Sequence, residues 1–335
     1  MAARSRELSQ WRRLRRLSTR SWVRRNRLQS PWTDVVLEES LNLLLLGQNP
    51  DGGWGAVAGK RSNTEATALA LLALQAVFKK TIEPAVQKAK TWLAERQNVD
   101  GSWPLNDSLK ESSWSTALAI IALSPSADFN ERVIKAGNWA LEQEGSKPGI
   151  LANLILAVTF QKKAVQLNED LIGWPWTPNS FSWVEPTSYF LLALKKIRRN
   201  LSSKTVEERI QQGELMIYDR MCDNGGWNYG NSSVYGDRLW PYPDTTAVAL
   251  IALQDHHERK ENQVSLRALS EMAKNTDSGL ALSWSAICLS LYGQEGAELR
   301  HRLVERFAKT KFLGETKAIA LGILAMGDGA RFFRV

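Results

Sequence analysis

The chain has 335 residues, and its formal charge of +8 is unevenly placed: residues 1–30 hold ten Arg against one Glu, which leaves about −1 on the remainder. That remainder offers no case for nucleic-acid binding, because phosphate recognition needs a basic face. No apolar run approaches the ~18 residues of a membrane-spanning helix, and two cysteines, Cys222 and Cys288, make no disulfide framework.

The basic arm, residues 1–30, reads as a segment apart from a single domain at 31–335. It either lies on an anionic membrane surface, with Trp11, Leu14, Leu17 and Trp22 dipping inward, or is a solvated tail. Projected on a helix, its apolar residues spread over half the circumference, which weakens the first option. Its Arg- and Ser-rich, acid-poor composition also suits an organellar transit peptide, whereas no long apolar stretch follows the paired arginines, as a secretory signal would require. The expected setting is the cytoplasm, with peripheral membrane contact through the arm.

Beyond the arm the chain repeats a pattern. A polar helix ends at a Gly-Trp turn and an apolar helix follows: QNPDGGWG before EATALALLAL, QNVDGSWP before WSTALAIIAL, GWPW before EPTSYFLLAL, and DNGGWNYG before DTTAVALIAL. The Asp-Gly and Asn-Gly pairs are turn chemistry, since Gly reaches positive φ without steric cost. ILANLILAV near position 150, ALSWSAICLSL and ETKAIALGILA are further apolar helices without the turn. Each is apolar on nearly every face and should be buried, which requires copies of the hairpin as neighbours.

Lys88, Ala89, Trp92, Leu93, Gln97, Gly101 and Trp103 resemble, residue by residue, the Gln-Trp repeat of squalene and oxidosqualene cyclases. Leu44, Gln48, Gly52 and Trp54 form a partial second copy. The resemblance to the terpenoid cyclase and protein prenyltransferase superfamily implies an all-α fold, an α/α toroid of about six to seven helical hairpins, with inner helices around a central apolar cavity and outer helices around them. The Gln side chain and the Trp indole would tie the end of one outer helix to the next hairpin, so the motif speaks for the fold and not for a reaction.

The chemistry is sought where inner helices begin, because in a toroid these ends share one rim. Asp244, Thr246 and Ala247 resemble the Asp-x-Thr-Ala string that carries the proton donor of oxidosqualene cyclases; Tyr242 and Thr245 stand where other class II cyclases have further aspartates. The resemblance therefore implies Asp244 as a catalytic acid acting on a squalene-like or shorter polyprenoid. A carbocation would need aromatic faces around it, and Trp114, Trp183, Tyr189, Trp240, Tyr242 and Trp284 lie near inner-helix starts. Glu65, Glu185 and Glu315 share Asp244's slot, and a carboxylate in a helix's first turn is favoured by the free N–H groups there whatever its function. Asp244 with Glu185 would also suit the acid–base pair of an (α/α)6 sugar-processing enzyme.

No cofactor or metal is expected. Cys222 precedes Asp223, the reverse of the Asp-x-Cys zinc pair of protein prenyltransferases, and neither a phosphate loop nor an Asp-rich magnesium motif occurs. Three arrangements stay open: a toroid that closes its own cavity, one completed by a second toroid subunit, and a non-catalytic isoprenoid-binding or partner-binding toroid.

Overall fold

The computed structural model describes residues 31–77, 79–147, 167–201, 205–294 and 296–335. The basic arm and the apolar run near position 150 lie outside the described residues. Twelve α-helices are described: α1 Pro31–Leu46, α2 Thr64–Ala76, α3 Glu83–Glu95, α4 Ser115–Leu123, α5 Asn130–Glu142, α6 Val184–Ile197, α7 Thr205–Asp219, α8 Pro243–Ala252, α9 Lys260–Lys274, α10 Gly279–Leu291, α11 Ala297–Thr310 and α12 Thr316–Met326. Two short antiparallel hairpins, Pro104–Asn106 with Leu109–Ser112 and Ser233–Val234 with Asp237–Arg238, sit in connections.

The even-numbered helices form a closed ring. α2 packs on α4, α4 on α6, α6 on α8, α8 on α10, α10 on α12, and α12 returns to α2. The odd-numbered helices lie outside: α5 spans α4 and α6, α9 spans α8 and α10, and α11 spans α10 and α12. This is the α/α toroid the repeat implies. The inner helices carry apolar residues all round because they are buried on both faces, whereas the outer helices keep a polar face toward solvent.

Four turns set the register of the hairpins by one recurring geometry. The backbone N–H groups of Trp54, Trp103, Trp174 and Trp227 donate to the hydroxyls of Thr67, Thr116, Thr187 and Thr246 at 2.8–2.9 Å. The four indoles donate to carbonyls at outer-helix ends, Leu44, Leu93, Ala140 and Ile217, at 2.6–2.8 Å. Gln48 reaches the carbonyls of Gly52 and Ala85, and Gln97 those of Gly101 and Arg132, so each amide joins its own turn to the next outer helix. Gly101 is required here twice over: its φ is +101°, and a Cβ would come within 2.8 Å of the Lys135 carbonyl oxygen.

The end of the ring where the inner helices finish is covered by the chain's own tail. Residues Gly329–Phe333 form a 3-10 turn packed on α2, α4, α10 and α12. Gln254 donates to the Phe333 carbonyl at 2.7 Å, Lys196 to that of Arg334 at 3.0 Å, and Arg331 to that of Gln75.

Candidate functional site

The turn geometry decides which side chains share the other end, the mouth. Glu65, Trp114, Glu185 and Asp244 each stand two residues before the threonine that receives a tryptophan N–H, so they enter the ring at one level. Lys317, in the first turn of α12, joins them with its Nζ 2.8 Å from Glu65 Oε1 and 4.0 Å from Glu185 Oε1. Since α12 and α6 stand opposite one another in the ring, this one ammonium spans its diameter. Tyr189 donates its hydroxyl to Glu185 Oε1 at 3.2 Å. Asp244 has no hydrogen-bond or ion-pair partner among the described residues, although its charge bears on Glu185, Tyr189 and Tyr229. Glu315 is exposed at the start of α12 and makes no ion pair with the cluster among the described residues, although its charge bears on Lys317.

Burial raises the pKa of Glu185 above the ordinary carboxylate value; Lys317 opposes the shift, and the Asp244 and Glu65 charges add to it. Lys317 is raised as well: burial alone would lower it, and the Glu65 and Glu185 carboxylates more than offset that. A carboxyl whose folded pKa is raised supports folding fully only below its unfolded value and loses that support as pH climbs through the folded one. Glu185→Gln should therefore gain in melting temperature relative to the parent as pH rises from 4 to 8, with the two converging at acid pH. A constant difference across that range would contradict it.

The expected aromatic wall is only partly assembled. Trp114 stacks on Tyr189 at 5.5 Å and meets Trp176 edge-on at 4.9 Å; Tyr189 lies 6.1 Å from Trp284, and Trp284 lies 5.3 Å from Phe333. These rings run from the mouth to the tail. Tyr242 pairs with Tyr229 at 5.4 Å, and both are open to solvent. Trp183 turns aside to lie against Gly230, and Trp240 is 75% exposed on the loop before α8, apart from the others. Trp176, Tyr229, Lys317 and Phe333 belong to this arrangement without having been marked in the sequence.

The expected apolar cavity is filled. Tyr189, Trp284 and Phe333 are fully buried, and along the middles of all six inner helices no side chain retains more than 5% of its surface. Tyr189 of α6 touches Trp284 of α10 across the ring, and the Glu185–Lys317 contact closes it above. Short helices of small residues approach closely enough for three large side chains to occupy the space between them. The mouth itself is a polar floor of Glu65, Glu185, Asp244 and Lys317 beside Trp114, Tyr229 and Tyr242.

Among the described residues one group has the spacing of metal ligands, Glu214, Asp255 and His256. The Lys195 ammonium lies 2.5 Å from both the Glu214 and the Asp255 carboxylates and so holds the place a cation would take. Cys288 is fully buried, and burial pushes its thiol pKa up, away from reactivity. No helix among the described residues is long and apolar enough to cross a membrane.

Residues 25–112 match the family model of the squalene-hopene cyclase C-terminal domain. The type II terpene cyclase MstE from Scytonema superposes with a TM-score of 0.57 at 15% identity, over 90% of this chain and 98% of that one. The chain shares the α/α toroid fold of the type II terpene cyclases. A variant of MstE in complex with its substrate, geranylgeranyl dihydroxybenzoate, gives 0.56 at 12% identity, over 90% and 99%. The toroid is shared with sugar-active enzymes: an inactive variant of an α-1,6-mannanase from Salegentibacter in complex with α-1,6-mannotriose gives 0.55 at 13% identity, over 90% and 99%, and an α-amylase from Clostridium perfringens gives 0.59 at 11%, over 86% and 96%. No curated protein matches the sequence. At these identities the terpenoid cyclase-like toroid carries its shape from one protein to another and not its reaction.

Proposed function

We propose that this toroid binds an apolar small molecule with a polar end, of the isoprenoid class, at its carboxylate mouth. The observation that carries the reading is that the ring interior is occupied by the chain's own side chains while Tyr229 and Tyr242 stay open to solvent at the mouth. Three carboxylates against one lysine favour a polar end that donates hydrogen bonds or is cationic. The apolar part would lie on the phenol and indole faces. The MstE substrate, which joins a geranylgeranyl chain to a dihydroxybenzoate, supports this ligand class.

A second reading is favoured by the upward shift that burial gives the Glu185 pKa. In a class II-type cyclisation, Glu185 or Asp244 would protonate a terminal alkene or epoxide of a polyprenoid, and Trp114, Tyr189 and Tyr242 would stabilise the cation. That chemistry needs a dry enclosure, which a second toroid subunit over the mouth would supply. The length of the chain suits such an enzyme, since it spans 98% of MstE.

One experiment separates the readings. Purified protein is incubated with squalene, oxidosqualene and geranylgeranyl dihydroxybenzoate, and the extracts are analysed by mass spectrometry alongside equilibrium binding. The expected result is unchanged polyprenoid, bound with an affinity that Tyr242→Ala and Asp244→Asn each weaken by about tenfold. Cyclic products that vanish in Glu185→Gln or Asp244→Asn would establish the second reading instead. Turnover of a mannan or starch, with no polyprenoid bound, would overturn both and put Glu185 and Asp244 to work as an acid–base pair.

A further inference from the structure

The opposite end of the ring carries a groove of about 370 Å3 where the tail meets the seam between α4 and α6, lined by Ser124, Asn130, Val133, Lys196, Arg331 and Phe332 among others. Its lining contains no carboxylate. Arg331 is paired with Asp328 at 3.0 Å and is accounted for. Lys196 is different: its ammonium donates to the Arg334 carbonyl at 3.0 Å and meets no carboxylate among the described residues. Burial pushes its pKa below the usual lysine range, and no charge nearby offsets that.

The lysine could be there only to complement the negative end of α6. The one contact of its ammonium among the described residues, however, is to the tail and not to a carbonyl of its own helix, while Lys195, one residue earlier, is held by two carboxylates and the Ala252 carbonyl at the end of α8. Lys196 turns its charge into a groove instead. A second donor faces the same space. Asn200 donates its amide to Asn130 Oδ1 at 2.9 Å, and the amide nitrogen of Asn130, a solvent-exposed residue, meets no protein acceptor among the described residues. Beside these donors Val133 and Ile197, both nearly fully buried, and Phe332 form an apolar wall.

We propose that this groove binds an oxyanion carried on a small apolar group, an organic phosphate or carboxylate, with Lys196 and Asn130 as its donors. The anion supplies the missing counter-charge, the amide supplies a hydrogen bond, and the apolar group lies on Phe332 and Val133. Phe332 and Arg334 belong to the tail and Lys196 to α6, so a bound anion fastens the tail across the end of the ring. The site is at the far end from the mouth and stands whether or not the mouth binds isoprenoids.

The test titrates the full chain with phenyl phosphate, benzoate and inorganic phosphate, by calorimetry and by thermal shift. Phenyl phosphate or benzoate should bind saturably and raise the melting temperature, and inorganic phosphate should bind at least about tenfold more weakly for want of the apolar contact. Lys196→Gln should weaken binding by about tenfold or more. Asn130→Asp keeps the acceptor for Asn200 and leaves the Lys196–Arg334 contact in place, so it should abolish binding by charge alone without loosening the tail. Absence of saturable binding to both organic anions, or unchanged affinity in the two variants, overturns the proposal. Equal affinity for inorganic phosphate overturns the assignment of the apolar wall.

Discussion

Lys195→Met should cost about 3–5 kcal/mol of stability, read as a fall in the urea midpoint at unchanged slope. Lys195 lies near the end of α6 with its side chain wholly inside, and its ammonium lies 2.5 Å from Glu214 of α7 and from Asp255 just beyond α8. It also donates to the Ala252 carbonyl at 2.7 Å. Methionine fills much the same volume but leaves the mostly buried Glu214 carboxylate facing the part-exposed Asp255 with only His256 beside it, and a buried backbone carbonyl unpaired. Most of the loss comes from these uncompensated groups and not from the missing attraction. Combining Lys195→Met with Glu214→Gln and Asp255→Asn should therefore recover much of it. If the single variant loses under about 1 kcal/mol, the cluster is solvated and its geometry contributes little.

The fold was legible because its repeat is written in residues with few alternatives. A Gly at positive φ, a Trp whose indole must find an acceptor, and an apolar run on every face of the next helix leave little besides stacked hairpins, and the closed contact between α12 and α2 completes the ring. The rim slot was legible for the same reason: Glu65, Trp114, Glu185 and Asp244 inherit their common level from the threonines behind them. The state of the interior was not legible. A helix buried on both faces has the same composition whether its inner face meets a bound ligand or the chain's own rings, so EPTSYFLLAL and ALSWSAICLSL say nothing about what lies between them. Lys317 was missed because one lysine in the first turn of ETKAIAL reads as an ordinary solvent-facing charge. Its role depends on α6 standing opposite, and that is a fact of the ring. Trp240 was misleading in the opposite sense: proximity in sequence to an inner-helix start does not fix where a loop residue points.

Whether the interior is truly a core is decided by Trp284→Ala, which should cost about 3–5 kcal/mol in chemical or thermal unfolding. Trp284 stands on α10 between Tyr189 of α6 and Phe333 of the tail, fully buried and in ring contact with both. These neighbours come from separate elements, each held by its own hydrogen bonds, so they cannot all move inward to close the gap. A cavity should remain, with a cost that grows by about 24 cal/mol for each Å3 left empty. The hollow would be lined largely by apolar groups, so it should stay dry and accept a benzene- or indole-sized molecule. Adding such a molecule should then raise the variant's melting temperature while leaving the parent's unchanged, because only the variant has space for it. The opposite result, a parent that is itself stabilised by polyprenoids and a variant that loses little, would mean that Tyr189 and Trp284 give way to a ligand in the middle of the ring. The mouth would then be the entrance to the binding site, and the dry enclosure that protonation chemistry needs would be present in this chain alone.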